Sequence, residues 1–334
     1  MKSYGPERIK KHNQKFIKKV FNDNQKPLTK TQLAKSTGLS VVTINKLLPE
    51  MIARGELTEL DNPIVTGGRK ASVYKLNANY QTTLIVQYVA QDEEMTANFS
   101  VVNLENQIVK KYRKYEEQIE LNGLKKEIGC LLQEYPTISS LVIGVPGTEI
   151  NGYLKIMDYS ALLNINLTQQ IRDTFHLPVI VENDINAATL GYSLKNKGNE
   201  KVIAGVYFPE KFPPGASLVI HNQLFHGGHG MSGEIKHVPQ FCRQEFPITD
   251  ETLYRERVME SLQILVSLYD PDEVVVYSES KFLPLDWEKE VLSKLDTLFP
   301  YDISFFIKKS SSFLEEYFIG LSFIGIQLLE DLDD

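Results

Sequence analysis

Residues 28–57 read LTKTQLAKSTGLSVVTINKLLPEMIARGEL, two short amphipathic segments with a single glycine between them. Thr29 is placed to cap the first segment, whose Leu33 and Ala34 would face inward. Gly38 supplies the turn, because a Cβ there would disfavour a positive φ. Ser40 caps the second segment. Its Ile44, Leu47, Leu48, Met51 and Ile52 recur at helical spacing and form a stripe to be buried. Helix, glycine turn and second helix make the helix-turn-helix pattern.

The exposed start of the second helix carries Ser40, Val41, Val42, Thr43, Asn45 and Lys46. These side chains suit base edges in a major groove: an amide for adenine, a versatile hydroxyl, and methyl groups for thymine. Thr29, Lys30, Thr31 and Gln32 would hold phosphates, which sets register without reading sequence. Pro49 falls inside the second helix and is expected to kink or divide it beyond the contact residues.

Working outward, ERIKKHNQKFIKKVFND (residues 7–23) reads as a preceding helix, with Ile9, Phe16, Ile17 and Val20 near one face. Downstream, ELTEL and ASVYKL flank DNPIVTGGRK as a β-hairpin wing. Gly67-Gly68 is its tip, and Arg69 and Lys70 are set against a DNA backbone or minor groove. A three-helix bundle that uses the hairpin for protein contacts is the alternative. Charge is divided unevenly: residues 1–77 hold 15 Lys and Arg against 6 Asp and Glu, whereas the remainder holds 21 against 37. A basic head on an acidic body puts DNA at the head alone, although a solvated lysine surface has the same signature.

The whole chain has 334 residues, 42% hydrophobic and 24% charged, which is ordinary for soluble protein of two domains. No run of 18 apolar residues and no apolar leader is present, so neither a membrane span nor a secretory signal is expected. Two cysteines, Cys130 and Cys242, cannot build a disulfide scaffold, and a reducing cytoplasm fits best. Beyond residues 78–84 the pattern runs through three strands, a helix, a strand ending in VPG, a helix, PVIVE and a helix. A second series of strands and helices follows, with DISFFI as its last strand and a final helix over 313–330. GASLVIHNQLF reads there as one strand. Two successive α/β series suggest a duplicated architecture around a cleft.

Two clusters are dense in polar side chains. Glu182-Asn183-Asp184, followed by Asn186, stands at the mouth of a strand, where carboxylates and amides suit a polyhydroxylated ligand. HGGHGMSGEIKH (residues 226–237) carries His226, His229, Glu234 and His237. Three histidines make a metal site conceivable, but local thiolates are missing and no metal or cofactor is expected. A formal G-x-G-x-x-G at Gly228, Gly230 and Gly233 opens no helix, which argues against a dinucleotide. A cap and a turn would account for both clusters without any ligand.

The succession of helix-turn-helix, GGRK, IGVPG, PVIVENDINAA and GGHGMSGEIKH resembles the ROK family of repressors, open reading frames and sugar kinases. The resemblance is to its sugar-responsive branch of xylose- and N-acetylglucosamine-type repressors. It implies an α/β chain with a winged helix-turn-helix over residues 1–77. An actin-like, ribonuclease-H-type two-lobed domain would follow over 78–334, with lobes of about 78–198 plus 310–334, and 199–309. It implies effector contacts from Gly147, Asn183, Asp184, Glu234 and His237, with Asp184 at the position of the catalytic base in kinase members. The implied partners are double-stranded DNA at an inverted repeat and a sugar or sugar phosphate. A second copy of the chain, as homodimer or dimer of dimers, is implied as well.

Three departures bear on the kinase branch. VAQDEEMT stands where the resemblance implies a D-x-G-x-T phosphate turn, and KFPPGA where it implies a G-T-G turn. YSES replaces the glycine pair near the adenine. Phosphoryl transfer needs positioned phosphates and metal, so a ligand-controlled repressor is expected rather than an enzyme. A sugar kinase with a DNA-binding head is the alternative. Lys236, where the resemblance implies glycine, leaves two further options, a lost sensor or a partner for an anionic ligand.

Overall fold

A computed structural model of the chain describes residues 6–24, 26–66, 69–91, 94–116, 120–157, 162–209, 211–284, 287–299, 301 and 304–331. The first unit is α1 (Pro6–Asn24), β1 (Leu28–Thr29), α2 (Lys30–Thr37), α3 (Val41–Ala53), β2 (Leu57–Thr66) and β3 (Arg69–Leu76). The three strands form one sheet in the order β1-β3-β2. Thr29 and Gln32 form a reciprocal capping box on α2, a cap of about 1 kcal/mol. Gly38 ends that helix at φ 71°, and the Ser40 hydroxyl accepts from the Thr43 amide to open α3.

Ile44, Leu47, Leu48 and Met51 pack with Ile17, Val20, Phe21, Leu28, Leu33, Leu57, Tyr74 and Leu76 in one buried cluster. Two expectations change here. Ile9 is 51% exposed and Phe16 is also exposed, because the buried residues of α1 are Gln14, Ile17, Val20 and Phe21. Pro49 does not divide α3, which runs unbroken from Val41 to Ala53. The missing N–H removes one intrahelical bond that neighbouring burial outweighs.

The rest of the chain repeats one design. β4 (Thr82–Gln91), β5 (Glu94–Asn103) and β6 (Ile108–Glu116) form an antiparallel meander. α4 (Leu121–Glu134) leads to β7 (Ile138–Val145), and α5 (Leu167–Phe175) to β10 (Val179–Asn183). Both strands add parallel to β4, giving the order β10-β7-β4-β5-β6. α6 (Asp184–Lys195) then crosses to a second meander, β11 (Val202–Phe208), β12 (Gly215–Ile220) and β13 (Gln223–Leu224). α7 (Glu251–Tyr269), β14 (Glu273–Ser278), α8 (Trp287–Leu298), β15 (Phe306–Ser310) and α9 (Phe313–Asp331) complete it in the order β13-β12-β11-β14-β15. α6 and α9 occupy matching places in the two halves and pack on each other between the sheets.

That contact is close because both helices present glycine. A Cβ on Gly191 would stand 1.8 Å from the Glu316 carbonyl oxygen, and one on Gly320 1.9 Å from that of Ala187. The expected single strand over 215–225 is two strands, since His221 and Asn222 adopt positive φ and turn the chain. The last strand lies at 306–310 rather than 302–307. A small hairpin, β8 (Gly147–Ile150) with β9 (Tyr153–Met157), carried no signal in the alternation pattern. Among the described residues no helix is long and apolar enough to cross a membrane.

Candidate functional site

β10 ends at Asn183 and α6 begins at Asp184, so the Glu182-Asn183-Asp184 cluster stands at the carboxyl end of a parallel strand, where α/β sheets hold ligands. The Asn183 side chain caps α6 by accepting from the Asn186 amide. It also donates to the Gly147 carbonyl at 3.0 Å, joining this strand end to the loop after β7. Asp184 accepts from the Ile185 amide at 2.8 Å. Glu182, 7% exposed, is the hub: it accepts from the Asn183 amide and the Asn186 side chain, both at 2.9 Å.

The loop over residues 225–237, from the second half of the chain, closes over this strand end. His226 Nε2 lies 2.8 Å from the Glu182 carboxylate, and that bond raises the His226 pKa against the opposing effect of burial. The Thr148 hydroxyl donates to Glu234, whose carboxylate also lies 3.7 Å from the Lys236 ammonium. Gly227, Gly230 and Gly233 have positive φ. A Cβ on Gly233 would meet the Ala216 carbonyl oxygen at 1.8 Å, so glycine there is a packing requirement. Burial raises the pKa of the neighbouring Glu149, with Thr168 donating to it at 3.1 Å.

Gly147, Asn183, Asp184 and Glu234 are thus brought to one mouth, joined through Thr148. His237 is placed differently: it ends a single 3-10 turn over Ile235–His237 and is exposed. Among the described residues its side chain has no hydrogen-bond partner. Lys236 is engaged by Glu234. Among the described residues no group of three or more His, Cys, Asp or Glu is arranged to hold a metal ion. Thr148 was missed from sequence, although a hydroxyl directly after VPG at a strand mouth was a usable signal. Tyr317 was also missed: it is fully buried, its hydroxyl makes no hydrogen bond among the described residues, and its ring lies over Gly144.

The corresponding strand ends of the second half are apolar. Tyr207 at the end of β11 stacks on Phe313 at 4.4 Å, and Tyr277 near the end of β14 meets Phe313 edge-on at 5.1 Å. The Tyr277 hydroxyl lies 2.9 Å from the Glu316 carboxylate, and burial raises the Glu316 pKa. KFPPGA forms the connection from β11 to β12. In VAQDEEMT, Asp92 and Glu93 lie outside the described residues, while Glu94 opens β5.

In the first unit, Val42 is 78% exposed at the start of α3, and Val41, Ser40, Asn45 and Lys46 are exposed with it; Thr43 is half-buried. Thr31 and Gln32 are exposed. Thr29 is not a phosphate donor as expected: it is 7% exposed and its hydroxyl is held by the cap. Lys30 is half-buried, its ammonium 5.7 Å from the centre of the Tyr74 ring. Arg69 and Lys70 open β3, paired with Thr66 and Val65. Their side chains and the Gly67-Gly68 tip lie outside the described residues.

Two halves with one strand order, packed through α6 and α9 and bridged over a polar strand mouth, define a mixed α/β protein built from a repeated five-stranded sheet. The ROK family model matches residues 95–246. It is 26% identical to the xylose repressor of Caldicellulosiruptor bescii over 236 residues, which is 69% of this chain and 59% of that protein. The match therefore spans less than two thirds of that relative. A crystal structure described as a ROK family transcriptional regulator, homologue of E. coli MLC protein, superposes with a TM-score of 0.69 at 16% identity, covering 97% of this chain and 98% of the other. The ROK hexokinase of Thermus thermophilus superposes at 0.58 and 14% identity over 75% of this chain and all of its own. These superpositions establish the ROK-type fold.

Proposed function

We propose that the protein is a DNA-binding transcription regulator, a repressor of carbohydrate uptake or catabolism genes, controlled by a sugar-type effector between its lobes. In this reading residues 1–77 are a winged helix-turn-helix and 78–334 an actin-like effector domain. Its lobes are about 78–198 plus 310–334, and 199–309. The observation that carries it is the pairing of two surfaces. The exposed Ser40–Lys46 face of α3 is free to enter a major groove. Amide and carboxylate groups of Gly147, Asn183, Asp184 and Glu234 meet at one mouth, suited to sugar hydroxyls. Thr31, Lys46, Arg69 and Lys70 are assigned to the DNA backbone or groove edge, and His237 reaches the effector once the loop adjusts. A two-fold dimer reading an inverted repeat in the cytoplasm belongs to the same reading.

What supports a regulator over a kinase is the Tyr207–Phe313–Tyr277 cluster, which fills the second mouth with rings. Pro213 and Pro214, in the connection from β11 to β12, have no amide donor for a phosphate. The relatives named xylose repressor point the same way. The test measures affinity for duplexes from upstream of the protein's own gene against salt concentration, with xylose, N-acetylglucosamine, glucose and glucose 6-phosphate as candidate effectors. Expected are a steep loss of affinity with salt, from released counterions, and a shift in affinity with one sugar. Salt-independent binding would sink the docking mode. Sugar-dependent ADP release from ATP would replace the regulator with the kinase.

A further inference from the structure

Helix α9 touches both proposed sites. Its first turns lie behind the polar mouth. The Tyr317 ring covers Gly144, three residues before Gly147, and among the described residues its buried hydroxyl has no hydrogen-bond partner. Asp184 and Glu182 are near enough to raise the pKa of that hydroxyl further, above what burial does. One turn on, Gly320 rests on the carbonyl of Ala187, which belongs to the first turn of α6 directly after Asn183 and Asp184. Backbone against backbone leaves no soft side chain to absorb a shift, so displacement of the start of α6 is displacement of α9.

The helix carries that displacement from Gly320 to Glu330, roughly 15 Å along its axis. At the far end, the Glu330 carboxylate accepts from the Asn22 side chain of α1 at 3.0 Å. Among the described residues the head is also held at the turn between β5 and β6. There Leu104 packs on the head core, the Leu104 amide donates to the Ala78 carbonyl, and Lys75 pairs with Glu105 at 3.0 Å. A rigid unit held at one place can pivot, and a second tether fixes its angle.

We propose that α9 sets the angle of the DNA-reading head, with Tyr317 and Gly320 at its start sensing the occupied or empty mouth and Glu330 at its end delivering the difference to α1 through Asn22. This rests on the effector reading above. Its ligand-free consequence is tested separately, by amide hydrogen exchange along α1 in the full chain. Gly320→Ala lifts α9 from α6 and is expected to speed exchange over residues 17–24 about tenfold, with α2 and α3 unchanged. Should that variant fail to fold, Tyr317→Phe removes only the hydroxyl. Unaltered exchange over 17–24 in a folded variant overturns the proposal. Glu330→Ala supplies the second arm, read with the same four sugars and the upstream duplex. Sugar affinity should stay within about twofold of wild type, while the sugar-induced change in DNA affinity shrinks at least about fivefold. A full response in Glu330→Ala overturns the relay. Absence of any sugar response in the wild type overturns the effector reading and leaves the exchange result to judge the helix.

Discussion

At the carboxyl ends of β7 and β10 the chain places Gly147, Thr148, Glu182, Asn183 and Asp184; at the ends of β11, β14 and β15 it places Tyr207, Tyr277 and Phe313. Both sheets have the same strand order and the same helix positions. One mouth is polar and bridged by side chains that could exchange partners with a ligand. The other is filled by stacked rings that have no reason to open. The scaffold therefore does not decide which mouth binds; the residues at the strand ends do.

The largest expected effect comes from emptying the aromatic mouth. Tyr277→Ala removes a buried ring and leaves the buried Glu316 carboxylate with one partner fewer, so stability should fall by about 4 kcal/mol in thermal or urea unfolding. Sugar binding at the other mouth should survive at temperatures where the variant is folded. Equal loss of sugar affinity would show that the two mouths are one site and break the comparison.

A smaller effect is expected from the polar mouth itself. Asp184→Ala removes an acceptor that suits a sugar hydroxyl, which should weaken sugar binding by about tenfold or more in titration calorimetry. Global stability should change little, because Asp184 is only half-buried. Asn183→Ala is a sharper probe, since Asn183 also caps α6 and ties it to Gly147. It should lose about 1 kcal/mol of stability along with sugar affinity. A variant that loses stability alone would reduce the cluster to a cap.

Much of this comparison was legible in the sequence where the cause is local. The capping box at Thr29, the αL glycine at Gly38, the cap at Asn183 and the burial stripe of α3 depend on neighbours within a few residues. The same locality explains the errors. Thr29 was expected to contact phosphate because a cap and a phosphate ligand have the same residue type. Ile9 and Phe16 carry the helical period, but only the packed half of α1 uses it. What was not legible is long-range. Thr148 and Glu234 are 86 residues apart, and Glu182 and His226 are 44 apart. Tyr317 lies behind a mouth built from segments far earlier in the chain, and no alternation or spacing announces that.

The smallest expected effect tests the bridge from the polar mouth to the other half. His226 is half-exposed, and its bond to Glu182 raises its pKa above the ordinary histidine value of about 6.5. A group whose folded pKa is raised binds its proton more tightly when folded. The bridge therefore adds its full stability below about pH 6.5 and loses it as pH climbs through the raised folded value. Solvent screening of the exposed ring limits the gain to a few tenths of a kcal/mol. Wild type and His226→Gln should differ most in midpoint denaturant concentration below about pH 6.5 and converge as pH rises through the raised folded value, because glutamine keeps a donor for Glu182 but cannot titrate. A constant offset across that range would mean that His226 is held by shape alone. A difference that grows with pH would mean the neutral ring is the one that binds, which would reverse the sign of the bridge's response to protons.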